Sequence, residues 1–200
     1  MIEQKQLLVT GCHRSGTTLL GSLLGRHRDI SMLNEDYTDG WTKAIGVKYC
    51  GVKMPMPTVL HDKKYPRFVV EFKRKWLRVR RWLGVRTHYK GVCSYSVADI
   101  LDRGGYVVFS ARYIEDNIAS ILNRTTQTRR SAYNDVVYSW DLLSSFRNHP
   151  RFIVVDFETL VEYPDKVLEY AVCERLGIEF EPEMLDGFKY QRTYDRDKIG

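Results

Sequence analysis

The sequence predicts an α/β fold in which a parallel sheet of about four or five strands carries helices on both faces. Short apolar runs, typical of buried strands, occur at 7–9, 30–33, 47–52, 106–110 and 152–157. Segments with apolar residues at three- and four-residue steps separate them, which indicates helices. This alternation favours a parallel sheet with crossover connections. With 200 residues, of which 44% are hydrophobic, the chain is expected to form one domain with a single core.

The first strand, at 7–9, is followed by Gly11 and Gly16 and then by a helix beginning near Thr17. Glycines allow backbone N–H groups to approach a ligand closely, and a helix N-terminus attracts anions. The spacing is that of the P-loop G-x-x-x-x-G-K-[ST], but Thr17 replaces the lysine that reaches the β- and γ-phosphates. Arg14 supplies the positive charge instead, so a nucleotide with a shorter 5′ chain than ATP or GTP is favoured.

The run at 14–19, Arg-Ser-Gly-Thr-Thr-Leu, resembles the 5′-phosphosulfate loop of sulfotransferases. Those enzymes use 3′-phosphoadenosine 5′-phosphosulfate (PAPS), and the arginine form of the loop is most similar to tyrosylprotein sulfotransferases and their bacterial relatives. The resemblance implies a P-loop-like three-layer fold. It also implies a PAPS cradle formed by eight residues: Gly11, Cys12, His13, Arg14, Ser15, Gly16, Thr17 and Thr18.

Glu35 follows the second predicted strand. Ligands of parallel α/β sheets bind beyond the carboxyl ends of the strands, so Glu35 is expected to face the same crevice as Arg14. The separation of the two residues resembles that in tyrosylprotein sulfotransferases, where a glutamate at this point is the catalytic base. The resemblance implies that role for Glu35, with Asp36 as the reserve candidate. A solvated loop carboxylate is the alternative.

Lys53 follows the third predicted strand and is separated by one residue from Pro55. This pair resembles a Lys-x-Pro element of several sulfotransferases, in which the lysine faces the transferred sulfuryl group or the substrate. The resemblance implies a catalytic role for Lys53 beside Arg14. A surface lysine without such a role is the alternative.

Arg112 follows the strong strand at 106–110, and Ser120 lies eight residues later on the next predicted helix. A guanidinium forms charge-assisted bonds with phosphate oxygens, and a nearby hydroxyl adds a donor. The strand, arginine and serine resemble the 3′-phosphate site of sulfotransferases. That second resemblance implies that Arg112 and Ser120 bind the 3′-phosphate of PAPS.

The remaining elements are predicted from caps and apolar periodicity. A helix at 94–103 has Ser94 or Ser96 as its N-cap. A helix at 133–146 is expected to bury Trp140, and a helix at 168–176 is expected to stop at Gly177. From 179 onward the chain is polar and poorly periodic.

Residues 63–90 form a basic insert within the single predicted domain, 1–200. The insert contains eleven Lys or Arg and one acid, so its net charge of +10 exceeds the +6 of the whole chain. Its apolar residues recur at helical steps, and a basic amphipathic helix can bind an anionic membrane surface or an acidic polymer. A helix packed on the core with a merely solvated basic face is the alternative.

These observations favour a PAPS-dependent sulfotransferase that acts on an acceptor hydroxyl or amine, with an anionic glycan, peptide or lipid as the acceptor class. Nucleic acid is not an expected partner, and the oligomeric state is not predicted. The rival functions are a P-loop kinase for a small molecule and a binding module for anionic surfaces or nucleic acid.

The composition also bears on metal binding and on the cellular location. The four cysteines are dispersed and no His/Cys/Asp cluster has ligand spacing, so no metal is expected. No signal peptide or membrane-spanning run is visible, which favours a cytoplasmic location.

Overall fold

The computed structural model describes residues 4–34, 46–56 and 95–190. Its strands are β1 (Lys5–Gly11), β2 (Ile30–Asn34), β3 (Tyr49–Lys53), β4 (Tyr106–Ala111) and β5 (Phe152–Asp156). They form one sheet in the order β2-β3-β1-β4-β5, and every neighbouring pair is parallel. The expected α/β class and strand number are therefore confirmed.

The helices of the described residues surround this sheet. They are α1 (Thr17–Leu24), α2 (Val97–Asp102), α3 (Ile114–Arg124), α4 (Arg129–Phe146), α5 (Phe157–Glu162), α6 (Pro164–Lys166), a π-helical segment (Val167–Cys173), α7 (Glu174–Leu176) and a 3-10 helix (Pro182–Tyr190).

Polar caps set the boundaries of several helices. Ser96 and Asp99 form a reciprocal capping box at the start of α2, which selects Ser96 over Ser94 as the cap. The Thr128 hydroxyl accepts from the Ser131 N–H, so α4 begins four residues before the predicted start at 133. Gly177 ends α7 in a left-handed conformation, as expected.

The sheet buries both of its faces, which makes the fold three-layered. Leu7 and Val9 belong to a core shared with α1 and the helices after β5, whereas Leu8 belongs to a core shared with α2 and α4. Successive side chains of a strand point to opposite faces, so β1 supplies both cores. The expectation of helices on both faces is confirmed.

One expectation for side-chain burial is wrong. Trp140 is 37% exposed, because the buried face of α4 runs instead through Val136 and Leu143. The polar, poorly periodic segment after 179 contributes to the core. Its 3-10 helix packs on α1, with Met184 fully buried and Gly187 so close that a Cβ there would lie 2.7 Å from the Leu23 Cα.

The sheet register aligns the carboxyl ends of the strands on both sides of β1. Lys53 of β3 pairs with Val9 of β1 and with Asn34 of β2. On the other side of β1, Gly11 pairs with Ser110 of β4. The chain leaves β1 toward the edge formed by β2 and leaves β4 toward the edge formed by β5, so the direction of the connections reverses between β1 and β4. Such a switch point opens a crevice where ligands bind in α/β sheets.

No helix in the described ranges has the length and apolar character needed to cross a membrane. The basic insert at 63–90 lies outside the described residues, and the single-domain assignment for 1–200 stays a prediction.

Candidate functional site

The turn between β1 and α1, here called the glycine loop (residues 11–16), has a left-handed backbone at two positions. Arg14 has φ 66° although it carries a side chain, and Gly16, the N-cap of α1, has φ 91°. The Ser15 N–H closes the turn onto the Cys12 carbonyl oxygen at 3.1 Å. Alternating backbone conformations of this kind turn successive N–H groups toward one concave side, where an anion can sit.

Two side chains near the end of β4 hold the carbonyl groups of the glycine loop. The Ser110 hydroxyl donates to the Ser15 carbonyl oxygen at 2.5 Å, and Arg112 Nη1 donates to the Arg14 carbonyl oxygen at 3.0 Å. In a trans peptide the next N–H points opposite to the carbonyl, so the Gly16 N–H is directed away from Ser110. The first N–H groups of α1 also lack intrahelical partners, and this end of the loop suits an anion.

Phe157, the first residue of α5, packs between the glycine loop and Arg112. Its ring occupies the position that a Cβ at Gly16 would take. The Arg112 guanidinium lies 4.9 Å from the centroid of the same ring, within the range of a cation–π contact. Phe157 therefore fixes both the loop and the arginine. From the sequence, Phe157 was expected only to end the apolar run at 152–157.

Arg112 is a buried cation, with 8% of its surface exposed. Its Nε lies 3.6 Å from Glu158 Oε1, which partly balances the charge. Burial raises the pKa of the Glu158 carboxyl, and the positive charge of Arg112 opposes that rise. The guanidinium is thus held between a carbonyl, a carboxylate and an aromatic ring, beside the glycine loop.

Three buried polar atoms of the site have no hydrogen-bond partner among the described residues. They are Nε of Arg14, Nε of Arg112 and the hydroxyl oxygen of Ser15. A buried donor without a partner is costly, and two guanidinium donors at one loop suit oxygens of an anionic ligand. The donor set therefore fits a phosphate- or sulfate-bearing group.

The other predicted cofactor residues differ in how far their side chains are exposed. Thr17 is buried at the start of α1, whereas Thr18 is exposed beside it. Ser120 is half-buried on α3, two turns beyond its start. Cys12 directs its side chain away from the cradle, into a small core with Ile118. Only the backbone of Cys12 is therefore available to a ligand in the loop.

Lys53 is 4% exposed, so the alternative of a surface lysine is wrong. It lies across from Gly21 of α1, where a Cβ would sit 3.3 Å from the Lys53 Cβ. A cleft of about 260 Å³ runs between α1 and the ends of β2 and β3, and its walls include Thr18, Asn34 and Lys53. This cleft adjoins the N-terminus of α1.

Glu35 and Asp36 lie outside the described residues. Asn34, which precedes Glu35, ends β2 in register with Lys53 and forms part of the cleft wall. β2 is the second strand away from β1, roughly 10 Å across the sheet. The catalytic role of Glu35 stays a prediction.

Three polar or aromatic residues that shape the site were not predicted from the sequence: Ser110, Phe157 and Glu158. Ser110 lies in a buried strand and resembles any small residue at such a position. Within the described parts of the chain, no group of three or more His, Cys, Asp or Glu could hold a metal ion.

Comparison with known proteins finds similarity of fold but no match of sequence. No family model matches the chain, and no curated protein matches it at a significant level. Among solved structures, mouse sulfotransferase SULT7A1 complexed with PAP has a TM-score of 0.54 at 14% identity, with 92% of this chain and 63% of that chain covered.

Two further solved structures are domains of biosynthetic enzymes. The sulfotransferase domain from the curacin biosynthetic pathway has a TM-score of 0.51 at 17% identity, covering 96% of this chain and 80% of that one. The sulfotransferase domain of the Synechococcus PCC 7002 olefin synthase has a TM-score of 0.50 at 15% identity, covering 97% and 80%. The fold of this chain is thus similar to that of sulfotransferases.

Proposed function

From this sulfotransferase-like fold, we propose that the chain binds PAPS and transfers its sulfuryl group to an acceptor hydroxyl or amine. The observation that carries the proposal is the hydrogen bond from Arg112 to the Arg14 carbonyl oxygen, at 3.0 Å. The two residues belong to the two separate motifs of the sequence, 98 positions apart, and they meet at one loop. A nucleotide with anionic groups on both its 5′ and 3′ positions would contact both motifs.

In this proposal the glycine loop and the N-terminus of α1 bind the 5′-phosphosulfate, and Arg112 with Ser120 binds the 3′-phosphate. The Nε atom of Arg14 supports this, because it has no hydrogen-bond partner among the described residues and can donate to an anion. Bound PAPS would supply an activated sulfuryl group. Thr17 in place of the P-loop lysine favours this ligand over a nucleoside triphosphate.

Residues of the chain would then accept the proton of the acceptor and stabilise the negative charge that develops. Glu35 takes the proton from the acceptor as its oxygen or nitrogen bonds to sulfur and the bond from sulfur to the 5′-phosphate oxygen breaks. Arg14 stabilises charge on the sulfuryl oxygens and the departing phosphate, and Lys53 assists from the wall of the cleft. Positioned charge of this kind is usually the largest catalytic contribution.

The acceptor is proposed to be anionic, as an acidic glycan, an acidic peptide or a lipid headgroup. The support is the net charge of +10 in the insert at 63–90, because the two motifs already account for the anionic groups of PAPS. The cytoplasm is proposed as the setting.

The test compares stabilisation by 3′-phosphoadenosine 5′-phosphate (PAP) with that by 5′-AMP in thermal unfolding. We expect PAP to stabilise the wild type far more than 5′-AMP does. Arg112→Ala should remove most of that difference, since a hydrogen bond to a charged group contributes about 1.5–3 kcal/mol. Arg129→Ala is the matched control, because its ion pair with Glu115 is fully on the surface, with both side chains at least 75% exposed.

Other outcomes select among the rival functions. Stabilisation by ATP with Mg²⁺ but not by PAP would replace the proposal with the kinase. Strongly salt-dependent binding to anionic polymers or vesicles, unchanged in Arg14→Ala, would favour the surface-binding module. Transfer of radiolabelled sulfate from PAPS to a hydroxyl-bearing acceptor tests the reaction itself.

A further inference from the structure

A cavity of about 740 Å³ lies at the amino ends of the strands, at the opposite edge of the sheet from the glycine loop. Its walls come from the first residues of β1, from the turn between α2 and β4, and from the turn that precedes β5. β1 has seven residues from this edge to Gly11, so at about 3.3 Å per residue the cavity is about 20 Å from the glycine loop. A small molecule bound in this cavity, here called the amino-edge cavity, therefore does not contact the glycine loop.

Three cations from separate segments line the amino-edge cavity: Lys5 of β1, Arg103 of the turn before β4, and Arg151 of the turn before β5. None of the described residues in its walls is an aspartate or a glutamate. Among the described residues, no carboxylate forms an ion pair with any of these three cations. Positive charges that lie close together repel each other, so an anion in the cavity would be stabilised by all three.

The Arg151 guanidinium is held in place at the cavity wall. Its Nη2 donates to the Leu101 carbonyl oxygen at 2.7 Å, whereas its buried Nε has no hydrogen-bond partner among the described residues. Burial and the positive charge of Arg151 lower the pKa of the neighbouring His149 imidazole, and the charge of Asp102 opposes them. A guanidinium has five N–H donors in a planar fork that matches the oxygens of an oxyanion. Arg151 is thus oriented in advance and keeps donors for a ligand.

Lys5 and the polar side chains of the walls complete the lining. Lys5 Nζ lies 5.8 Å from the centroid of the Tyr106 ring, within the range of a cation–π contact. The Tyr106 ring in turn meets the Tyr49 ring edge-on, with the ring centroids 5.8 Å apart. Gln4 and Gln6 also line the cavity, and the buried Gln6 Oε1 has no hydrogen-bond partner among the described residues. Amide side chains both donate and accept hydrogen bonds, so these walls suit hydroxyl groups beside an anion.

We propose that the amino-edge cavity binds a phosphate or sulfate ester of a small hydroxylated molecule, and that Lys5, Arg103 and Arg151 contact the oxygens of its tetrahedral anion. Such an ester group offers three acceptor oxygens to the three cations, whereas a carboxylate offers two. The cavity volume lies within the range of about 300–1,000 Å³ that is typical of small-molecule sites, so there is room for the carbon skeleton of the ester. This site is separate from the glycine loop and does not rest on the proposed function.

The first experiment locates the bound ester by NMR of protein labelled with nitrogen-15. Glucose 6-phosphate and glucose 6-sulfate are added separately, and neutral glucose is the control. We expect the amide signals of residues 103–106 and of Arg151 to shift with either ester and to stay in place with glucose. Any shifts in the glycine loop, at 11–16, should need higher concentrations. Shifts at 11–16 without shifts at 103–106 would overturn the proposal.

The second experiment measures the affinity for glucose 6-phosphate by calorimetry at low salt. Arg103→Gln and Lys5→Gln should each weaken binding about tenfold, the effect of losing one charged hydrogen bond. Arg103 is exposed, so its substitution should leave the fold intact, which thermal unfolding checks. Arg129→Gln removes the same charge from the surface of α4, outside the cavity, and should not change the affinity. Equal affinities of the wild type, Arg103→Gln and Lys5→Gln would contradict the proposal.

Two further comparisons define what the cavity recognises. Arg151→Lys keeps the positive charge but loses the planar fork, so we expect it to weaken binding of glucose 6-phosphate severalfold. An unchanged affinity would show that Arg151 does not contact the anion through its guanidinium. Inorganic phosphate and inorganic sulfate should bind more weakly than the two esters, because they lack the hydroxylated part. If the free anions bind as tightly as the esters, the cavity recognises the anion alone and the proposed ester is wrong.

The outcomes separate this inference from the proposed function. The affinity for PAP should be the same in the wild type and in Arg103→Gln, because the cavity is about 20 Å from the glycine loop. If the esters shift the signals at 103–106 but PAP does not bind, the amino-edge site is supported and the PAPS proposal is wrong. If PAP binds but neither ester shifts these signals, the amino-edge site is wrong and the PAPS proposal stands.

Discussion

The Ser110 hydroxyl donates to the Ser15 carbonyl oxygen at 2.5 Å and so joins the end of β4 to the glycine loop. Both side chains are buried, and the residues are 95 positions apart in the chain. We expect Ser110→Ala to lower the free energy of unfolding by about 1–3 kcal/mol, because the buried carbonyl loses this donor. The affinity for PAP should fall with it, since the loop is less firmly held. Urea denaturation and calorimetry measure the two effects.

Ser145→Ala is the control for that substitution. The Ser145 hydroxyl donates to the Asp141 carbonyl oxygen at 2.9 Å on the exposed side of α4. Its loss should change stability by no more than about 0.5 kcal/mol, as is usual for surface positions. Equal effects of the two substitutions would mean that Ser110 does not restrain the loop.

Gly16 is required for two reasons that can be measured apart. Its φ of 91° disfavours any side chain, and a Cβ there would overlap the Phe157 ring. Gly104 has a similar φ of 80° with nothing within 4 Å of a Cβ. We expect Gly104→Ala to cost about 1–2 kcal/mol for the backbone alone, and Gly16→Ala to cost roughly 1–3 kcal/mol more for the overlap.

A second change identifies the source of that extra cost. In a protein that already carries Phe157→Leu, the ring is absent, so Gly16→Ala should cost less stability than it does in the wild type. Denaturation of the wild type, the two single variants and the double variant measures these costs. If the cost of the double variant equals the sum of the two single costs, Phe157 does not fill the space at Gly16.

Glu35 should act in turnover and not in cofactor binding. Glu35→Gln is expected to lower kcat by roughly 10²–10⁴-fold, the usual contribution of a general base, and to leave PAP affinity unchanged. Asp36→Asn is the matched control and should keep most of the activity. The reverse result, with Asp36→Asn inactive and Glu35→Gln active, would transfer the role to Asp36.

The basic insert at 63–90 gives a prediction for the acceptor. Neutralising Arg78, Arg80 and Arg81 together should raise KM for an anionic acceptor and flatten its salt dependence, because exposed charges act over only about 8–10 Å at ordinary salt. The affinity for PAP should not change. An unchanged KM, together with no blue shift of tryptophan fluorescence on adding anionic vesicles, would leave the insert as a solvated face.

The elements that sequence analysis predicted are those with local signals. An apolar run such as 106–110 predicts a buried strand whatever lies next to it, and the spacing of Gly11 and Gly16 is fixed within one turn. The capping box of Ser96 with Asp99 is also local. Each of these features can be predicted because the residues that determine it lie within a few positions of it in the sequence.

The partners of the loop could not be predicted, because they depend on contacts between distant segments. Nothing in the sequence near Ser110 indicates that its side chain contacts the glycine loop. On α4, Val136 and Trp140 are one turn apart and both apolar, yet Val136 is fully buried and Trp140 is 37% exposed. A broad apolar stripe in the sequence does not define which of its residues the folded helix buries. The 3-10 helix at the end has a three-residue period that the search for α-helical spacing misses.

Asp135 gives the last prediction, a dependence of stability on pH. Burial raises the pKa of its carboxyl in the folded protein above that of the unfolded chain. Below the unfolded value both states hold the proton, and burial of the carboxyl then costs nothing extra. As pH rises, the unfolded chain loses its proton first, so the free energy of unfolding of the wild type falls until the folded pKa is passed.

Asp135→Asn removes this contribution, so its stability relative to the wild type should rise between the unfolded and folded pKa values and then stay constant. Urea denaturation from pH 3.5 to 7.5, with Asp141→Asn as the exposed control, measures the difference. A gain in stability that follows pH in this way and is absent from Asp141→Asn would show that the fold keeps a half-buried carboxylate at a cost in stability. If the variant instead becomes less stable than the wild type as pH rises, the charged carboxylate of Asp135 stabilises the fold, and the predicted cost of its burial is wrong.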